Sequence, residues 1–380
     1  MSEAARVSRR DFLAASLLAP ALARLQPPAD SRLLGIIPFG DPGARATPLN
    51  RLLGSGLDAR LFSDLSGLSD HALTTTAERF FVRTAAAPAL PAADTWSVAL
   101  GGQVAEAAAI DLRGLQAMGQ PAGRVLIECA GNSDPMNYGL MSVADWDGVP
   151  LTKLLDRVEP SSAKPRVLVS GFDDERTVTR TSVPGASWIF TRDELAHAFL
   201  ALRMNGEPLT RDHGAPVRLV VPGWYGCACI KWVNRIDLVP DEAVRTSQMA
   251  EYAGRTHQDG LPELARDYTP AVIDTAAVPV RIERWIRDGK AFYRVIGIIW
   301  GGSRPTNQLA IRFRTSAPWT PVENCPLPSS TLSWSLWSHT WTPTEPGRYE
   351  IVLKVTDPSI RTRRLDLFYY VRDVLIGESR

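Results

Sequence analysis

Residues 124–139, RVLIECAGNSDPMNYG, place Cys129 after a mostly apolar run and just before Ala130, Gly131 and Asn132 break the chain. A thiol at the tip of a strand has three uses. Most often it is a small core hydrophobe. As a nucleophile it needs a partner base, and among the five histidines the candidate is His213, in TRDHGAPVRLVVPG. As a metal ligand it needs co-ligands, and no His, Cys or Asp stands around it at metal-cluster spacing. One thiolate with no protein co-ligands implies that a cofactor completes the coordination.

The remaining cysteines are Cys227, Cys229 and Cys325. Cys227 and Cys229 are one residue apart, so on a strand they point to opposite faces, a poor geometry for a disulfide. No C-x-x-C pair is present, which excludes a zinc ribbon and covalent haem attachment. A formal net charge of +1, with Lys and Arg dispersed, gives no footprint for a nucleic-acid partner.

The elements that must position these residues divide the chain. Residues 1–23 read as a removable export signal: Arg9 and Arg10, then Phe12 and Leu13, precede an apolar run ending in Ala21-Leu22-Ala23. That run is shorter than the ~20 residues needed to cross a bilayer. Paired arginines resemble the twin-arginine address, whose proteins commonly load a cofactor before crossing, so a periplasmic location is expected. Beyond Ala23 no segment is apolar enough to anchor the mature chain. An extension over 24–77 is followed by a domain over 78–245. There strand-like runs at 166–173 and 216–223 alternate with helix-like runs at 151–158 and 191–202, the last with a Thr191/Glu194 capping box. This is a mixed α+β pattern. Residues 246–380 hold short alternating strands punctuated by Asp288-Gly289, Gly301-Gly302 and Pro346-Gly347, the signature of a β-sandwich.

CAGNSDPM, together with MNGEPLTRDHGAPVRLVVPGWYGCACIKWVNRI, resembles the two hallmark stretches of the sulfite oxidase family of molybdopterin enzymes. The likeness runs from about Glu78, through ERFFVR and SQMAEYAGRTH, to the strand-rich end, which is similar to the family's immunoglobulin-like dimerisation domain. The resemblance implies an α+β molybdopterin-binding domain with one Mo-molybdopterin per chain, ligated by Cys129. It also implies oxygen-atom transfer on a small-molecule substrate, a separate electron carrier such as a cytochrome, and a possible homodimer. On the same ground His213 and Arg218 match pterin-binding positions, with Arg218 a fork of donors for phosphate. Gly226 to Lys231, including Cys229 and Ile230, match the loop that wraps the pterin with backbone amides, and Lys231 adds charge beside the phosphate. Asp173 falls where an acidic pterin contact is often found.

The departures from the family pattern concern substrate. A basic residue follows C-A-G-N in sulfite-oxidising members, but Ser133 and Asp134 stand here, and a carboxylate facing the metal would repel sulfite. Arg83 matches a substrate-side arginine that also borders the cofactor, yet Thr84 and Ala85 replace the histidine expected beside it. Half of an anion clamp is missing, which makes sulfite a poor substrate if Asp134 faces the metal and leaves a sulfur- or nitrogen-oxide centre on a neutral or cationic molecule as the runner-up. The active-site tyrosine is Tyr252 by order or Tyr138 by closeness to Cys129. Three function classes stay open: a molybdopterin oxidoreductase, running as oxidase or as reductase of S- or N-oxides; a Cys129–His213 hydrolase; and an exported binding protein.

Overall fold

The computed structural model describes residues 27–37, 48–54, 59–83, 90–132, 138–161, 165–172, 186–363 and 369–374. The export signal, Asp134 and Asp173 lie outside the described residues. Contacts along the chain define two compact units that divide at Asp274.

The larger unit is built on two five-stranded sheets. One runs Glu207–Pro208, Phe199–Met204, Met141–Pro150, Gln120–Glu128, with Arg218–Val220 added beside Phe199–Met204. The other runs Ala108–Asp111, Ser97–Gly102, Val233–Val239, Arg166–Gly171, Ser187–Phe190, and contains a parallel pair, Val233–Val239 with Ser97–Gly102. In Gln120–Glu128 the residues before Val125 are exposed or half-exposed, while Val125 to Glu128 are buried. The strand therefore runs from the surface inward, and Cys129, the next residue, is left 7% exposed.

The expected alternation of strands and helices gives way to a sheet-rich unit. Its α-helices among the described residues are short: Leu112–Met118, Leu151–Leu155 and Ser247–Tyr252. Leu151–Leu155 fulfils part of the 151–158 reading, but the helix expected over 191–202 does not form. Its capping box closes as expected, with the Thr191 amide on Glu194 at 2.7 Å and the Glu194 amide on the Thr191 hydroxyl at 3.2 Å. After one turn the chain leaves as the strand Phe199–Met204, which pairs with Met141–Pro150 on one side and Arg218–Val220 on the other. A cap supplies one turn of order; pairing on both edges then outweighs local helix propensity.

The smaller unit holds two four-stranded antiparallel sheets. All five C-terminal runs read as strands form them, among them Ala276–Arg287 and Lys290–Trp300 around a hairpin whose Asp288 and Gly289 both take positive φ, 52° and 72°. Trp341 of one sheet stacks on Phe313, next to a strand of the other, at 4.3 Å. The division at Asp274 differs from the expected boundary at 245/246, and hydrogen bonds show why. Residues 246–273 are tied into the larger unit by the Thr246 hydroxyl on the Ser187 carbonyl at 2.7 Å and the Ile273 amide on the Gly223 carbonyl at 2.8 Å. Residues 66–73, expected in the N-terminal extension, join the smaller unit. There the Arg281 guanidinium donates to the Ser66 and Leu68 carbonyls, and Trp334 Nε1 to the Leu73 carbonyl. No helix among the described residues is long and apolar enough to cross a membrane.

Candidate active site

Arg218 is the most unusual side chain of the larger unit. It is 3% exposed, and its guanidinium donates only to two carbonyls, Nη1 to His213 at 3.1 Å and Nη2 to Cys229 at 3.3 Å. Its Nε is buried without a hydrogen-bond partner among the described residues, and no carboxylate pairs with it there. One face of the group lies over Trp146, 5.7 Å from the ring centre. Burial pushes its pKa down to about 10, so it keeps its charge at neutral pH. An isolated buried cation is costly unless an anion joins it.

Lys231 and His213 close in on the same place. Gly214, at φ 101°, packs so tightly that a Cβ there would lie 2.9 Å from Arg218 Cβ and 3.2 Å from Lys231 Cβ. Only glycine takes that conformation without strain, and it lets the two cationic chains stand side by side. His213 donates through Nε2 to the Phe80 carbonyl at 3.1 Å, which leaves Nδ1 to accept from the Thr210 hydroxyl at 2.6 Å. Burial, then the charges of Lys231 and Arg218, hold its pKa down at about 4, so the ring is neutral. Both nitrogens are occupied, so His213 faces no base-requiring thiol. The cysteine–histidine pair of a hydrolase does not form, and a direct pterin contact through a ring nitrogen would require one of these bonds to open.

The second centre is Cys129. Its amide donates to the Leu140 carbonyl at 2.9 Å, and the Gly131 amide points at its sulfur at 3.4 Å. Asn132, fully buried, staples the turn: Nδ2 reaches Glu128 at 3.3 Å and the Tyr138 carbonyl at 3.0 Å, and Oδ1 accepts the Leu140 amide at 3.2 Å. The Gly131 backbone is not left-handed; a Cβ there would find Cys129 Sγ at 3.7 Å and Arg255 Nη1 at 3.5 Å, ordinary contact distances, so the thiol and this guanidinium both lie beside Gly131. Burial raises the Cys129 pKa, against the Gly131 amide and the charges of Arg83 and Arg255. Tyr252 belongs here: burial, then Cys129 and Cys227, raise its phenol, while Arg83 and Arg255 oppose them. The phenol therefore stays protonated at neutral pH.

The loop after Trp224 links the two centres. The Gly226 amide donates to the Glu128 carbonyl at 2.7 Å, next to Cys129, and the Cys229 carbonyl receives Arg218. The amides of Gly226, Ala228 and Cys229 are all used within the protein, on Glu128, Tyr225 and Gly226, so the loop does not offer them to a ligand as its motif suggested. The Ile230 carbonyl holds the Leu219 amide at 2.7 Å, and Lys231 Nζ donates to the Asp212 carbonyl at 2.6 Å. Cys229 is buried, with its sulfur over the Val221 amide at 3.5 Å. All four cysteines are free thiols. Sequence reasoning had not singled out Arg255, Asn132, Cys227, Thr210 or Phe80. All five stood inside quoted motifs, but none carried a site role there.

The sequence pattern of the oxidoreductase molybdopterin binding domain matches residues 85–247, which span Cys129, His213, Arg218 and Lys231. The chain thus carries a region similar to the molybdopterin-binding domain of sulfite oxidase-type oxidoreductases. It is 28% identical over 262 residues to mitochondrial sulfite oxidase of Rattus norvegicus, covering 62% of this chain and 47% of that protein. It is 32% identical over 207 residues to the NAD(P)H nitrate reductase of Hordeum vulgare, covering 47% of this chain and 22% of that one. The chain thus spans about half the length of the mammalian sulfite oxidases it matches. Its fold is similar to the sulfane dehydrogenase SoxCD of Paracoccus pantotrophus, with a TM-score of 0.62 over 90% of this chain and 91% of that one at 18% identity.

A domain of this kind implies a molybdenum–molybdopterin cofactor, and the residues present fit one. Arg218 is a buried cation that lacks an anion, which a phosphate supplies. Cys129 is a thiol outside any group of three His, Cys, Asp or Glu fit to hold a metal among the described residues, which suits a metal whose other ligands come with the cofactor.

Arg218→Met should therefore separate folding from binding. The cofactor-free variant is expected within about 1 kcal/mol of wild type or above it, because a lone buried charge is removed. The same variant should fail to retain the pterin; denaturant melts of apo protein and pterin fluorescence of purified protein check the two halves. His213 gives a pH signature. Its folded pKa lies below the ordinary value near 6.5, so its contribution is fully present above that pH and is lost as pH falls toward about 4. Stability should drop by up to about 3 kcal/mol over that window, and His213→Gln should remove that part of the slope in melts run between those pH values.

Proposed function

We propose that this protein is a molybdenum-dependent oxidoreductase of sulfite oxidase type, acting by oxygen-atom transfer on a small-molecule substrate and exchanging electrons with a separate carrier, a cytochrome. The observation that carries this reading is the pairing, across one short loop, of a guanidinium buried without a counter-charge among the described residues with a thiol that has no metal-binding group of protein co-ligands among them. One Mo-molybdopterin per chain satisfies both. Bound there, the cofactor supplies the oxygen-atom chemistry and the storage of two electrons.

The chain's own residues bind and orient. Arg218 and Lys231 take the phosphate, the first as a fixed fork, the second as a point charge. His213, held neutral, adds no third positive charge to that pocket and instead fixes Phe80 through its carbonyl. Cys129 holds the metal. Cys229 and Ile230 line the loop by packing, Asp173 stands as a proposed pterin contact, and Arg83 borders both cofactor and substrate. Tyr252 keeps its proton and donates a hydrogen bond toward the substrate; Tyr138, buried and at positive φ, has a structural place in the stapled turn. Asp134 remains a proposed substrate-side carboxylate.

The paired sheets of the smaller unit support reading it as an immunoglobulin-like domain that forms a homodimer, which light scattering would check against a monomer mass. Arg9 and Arg10 support export to the periplasm by the twin-arginine route. Changing both to Lys should leave cofactor-loaded precursor in the cytoplasm, because the pair is read by a receptor rather than as charge; unchanged export in a fractionation assay would remove that assignment.

The central test is composition and a ligand swap. Protein purified from its native host is expected to carry about one molybdenum and one pterin per chain on the stoichiometry proposed here. Cys129→Ser should lose turnover by several orders of magnitude while keeping the fold and the pterin, since an alkoxide is a harder donor than a thiolate. Full activity in a serine variant with complete metal loading would overturn the ligand assignment.

A further inference from the structure

Residues 241–267, all in the larger unit, hold six carboxylates against three arginines, a surplus of three negative charges in a chain whose net charge is +1. Two of those arginines are engaged locally. Arg245 Nη1 donates to the Pro262 carbonyl at 2.9 Å, and Arg266 stands among Asp241, Glu242 and Asp267 at 3.5 to 3.9 Å. The Glu242 and Asp267 side chains are still 69% and 58% exposed, so the surplus faces water.

An apolar pair sits among these charges. The Arg245 amide donates to the Glu263 carbonyl at 3.0 Å and the Ala265 amide to the Ala243 carbonyl at 2.9 Å, so Val244 and Leu264 oppose each other between the two bonds with their side chains on one face. Glu242 and Arg266, each two residues out from that pair, meet at 3.8 Å. Val244 is 61% exposed and Leu264 half-buried; Leu261, next to the Pro262 that holds Arg245, is 54% exposed. Single exposed hydrophobics need no explanation, but three at one short ladder, bordered by carboxylates, have the apolar centre and polar rim of a docking surface.

This face lies a short way from Cys129. Three residues after Val244 the helix Ser247–Tyr252 begins, and three extended steps followed by five helical rises put the Val244 and Tyr252 Cα atoms within about 18 Å of each other. Gln248 of that helix donates to the Cys227 carbonyl, and the Gly226 amide donates at 2.7 Å to the Glu128 carbonyl, which belongs to the peptide leading into Cys129. Two hydrogen bonds thus join the helix to the thiol's own peptide.

We infer that the face of Val244, Leu264 and Leu261, bordered by Glu242, Glu263 and Asp267, is where the electron carrier docks. The carrier it fits is a small basic protein whose redox group opens on an apolar patch ringed by lysines. Passage of electrons follows from the oxidoreductase reading proposed above, whereas the contact itself follows from this face alone. When substrate is oxidised, one turnover needs two encounters, each oxidised carrier gaining one electron as the site loses one.

Mitochondrial cytochrome c, a lysine-rich protein with one haem, serves as the probe. Natively purified full-length protein, reduced beforehand with dithionite and freed of the excess, is mixed with the oxidised cytochrome, and haem reduction is followed by stopped flow. Wild type is expected to react with a second-order rate that falls steeply as salt is raised. Glu242→Lys combined with Glu263→Lys should lower that rate on the order of tenfold and flatten its salt dependence. Glu106→Lys combined with Glu207→Lys makes the same change in net charge away from this ladder and should lower the rate by less than about twofold. Val244→Ser combined with Leu261→Ser should slow the reaction severalfold with its salt dependence kept, because contact is lost and not charge. Oxidation by ferricyanide, a small anion that needs no docking face, should not slow in any of them. All six positions are exposed, so melting temperature and molybdenum content should stay at wild-type values. A rate indifferent to salt, or an equal loss in the Glu106 and Glu207 pair, overturns the inference. So does a wild-type dimer that the serine pair converts to monomer in light scattering, since the face then belongs to a second copy. Cytochrome binding in calorimetry with this salt and variant dependence, by protein that holds no molybdenum and passes no electron, would overturn the oxidoreductase reading and leave the docking face standing.

Discussion

A guanidinium buried without a counter-charge among the described residues is the constraint around which the larger unit is arranged. Two carbonyls and the face of Trp146 ease the desolvation of Arg218, but neither returns the hydration energy of a full charge, and an ion left so is worth several kcal/mol of instability. The neighbours make sense in that light. A protonated His213 would add a like charge beside Arg218 and Lys231, and its neutral form is fixed by bonds that fill both nitrogens. Gly214 lacks a side chain where a Cβ would crowd the stems of both cations. The pocket therefore carries two positive charges by construction, and its stability depends on a negatively charged occupant.

That electrostatic centre and the thiol centre are held at a fixed separation by short backbone spans, not by side chains. Residues 226–229 bond at one end to Glu128, which immediately precedes Cys129, and at the other to Arg218 through the Cys229 carbonyl. Both anchor points sit on buried ends of strands in the same sheet. A ligand that bridges phosphate and metal thus meets a preset distance, and the ordering cost falls on folding and not on binding. The amides of the loop, which its motif presents as a cradle, are used to make this rigidity.

Much of this was legible in the sequence where chemistry and burial coincide. Cys129 after an apolar run, and Arg218 inside LVVP-type strand sequence, are polar groups in places where the pattern demands apolar ones, which is why they announce a site. The five C-terminal strands were legible from alternation and turn pairs, and the Thr191/Glu194 box formed as read. The helix beyond that box was not legible as a strand, because Phe199 to Met204 is apolar enough for either state and only its partners on both edges decide it. The boundary at Asp274 was equally hidden: residues 246–273 were read with the C-terminal domain, and hydrogen bonds with Ser187, Cys227, Gly223 and Tyr225 bind them to the larger unit. His213 was found by its motif, yet its neutrality and its use as a brace follow from Phe80, 133 positions earlier in the chain.

The two sides of the site differ in the kind of structure that carries them, and this explains why one was easier to read than the other. The phosphate side is built from sheet ends and a loop fixed by buried backbone bonds, where a change of residue disturbs packing at close range. The side proposed to face substrate is built from short pieces, a two-residue strand at Arg83 and a six-residue helix ending at Tyr252. Such pieces can exchange which position supplies a charge without refolding a sheet, because an arginine reaches some distance from its Cα and only the guanidinium has to arrive. A motif written as residue types at fixed spacing therefore follows the first side faithfully and loses the second.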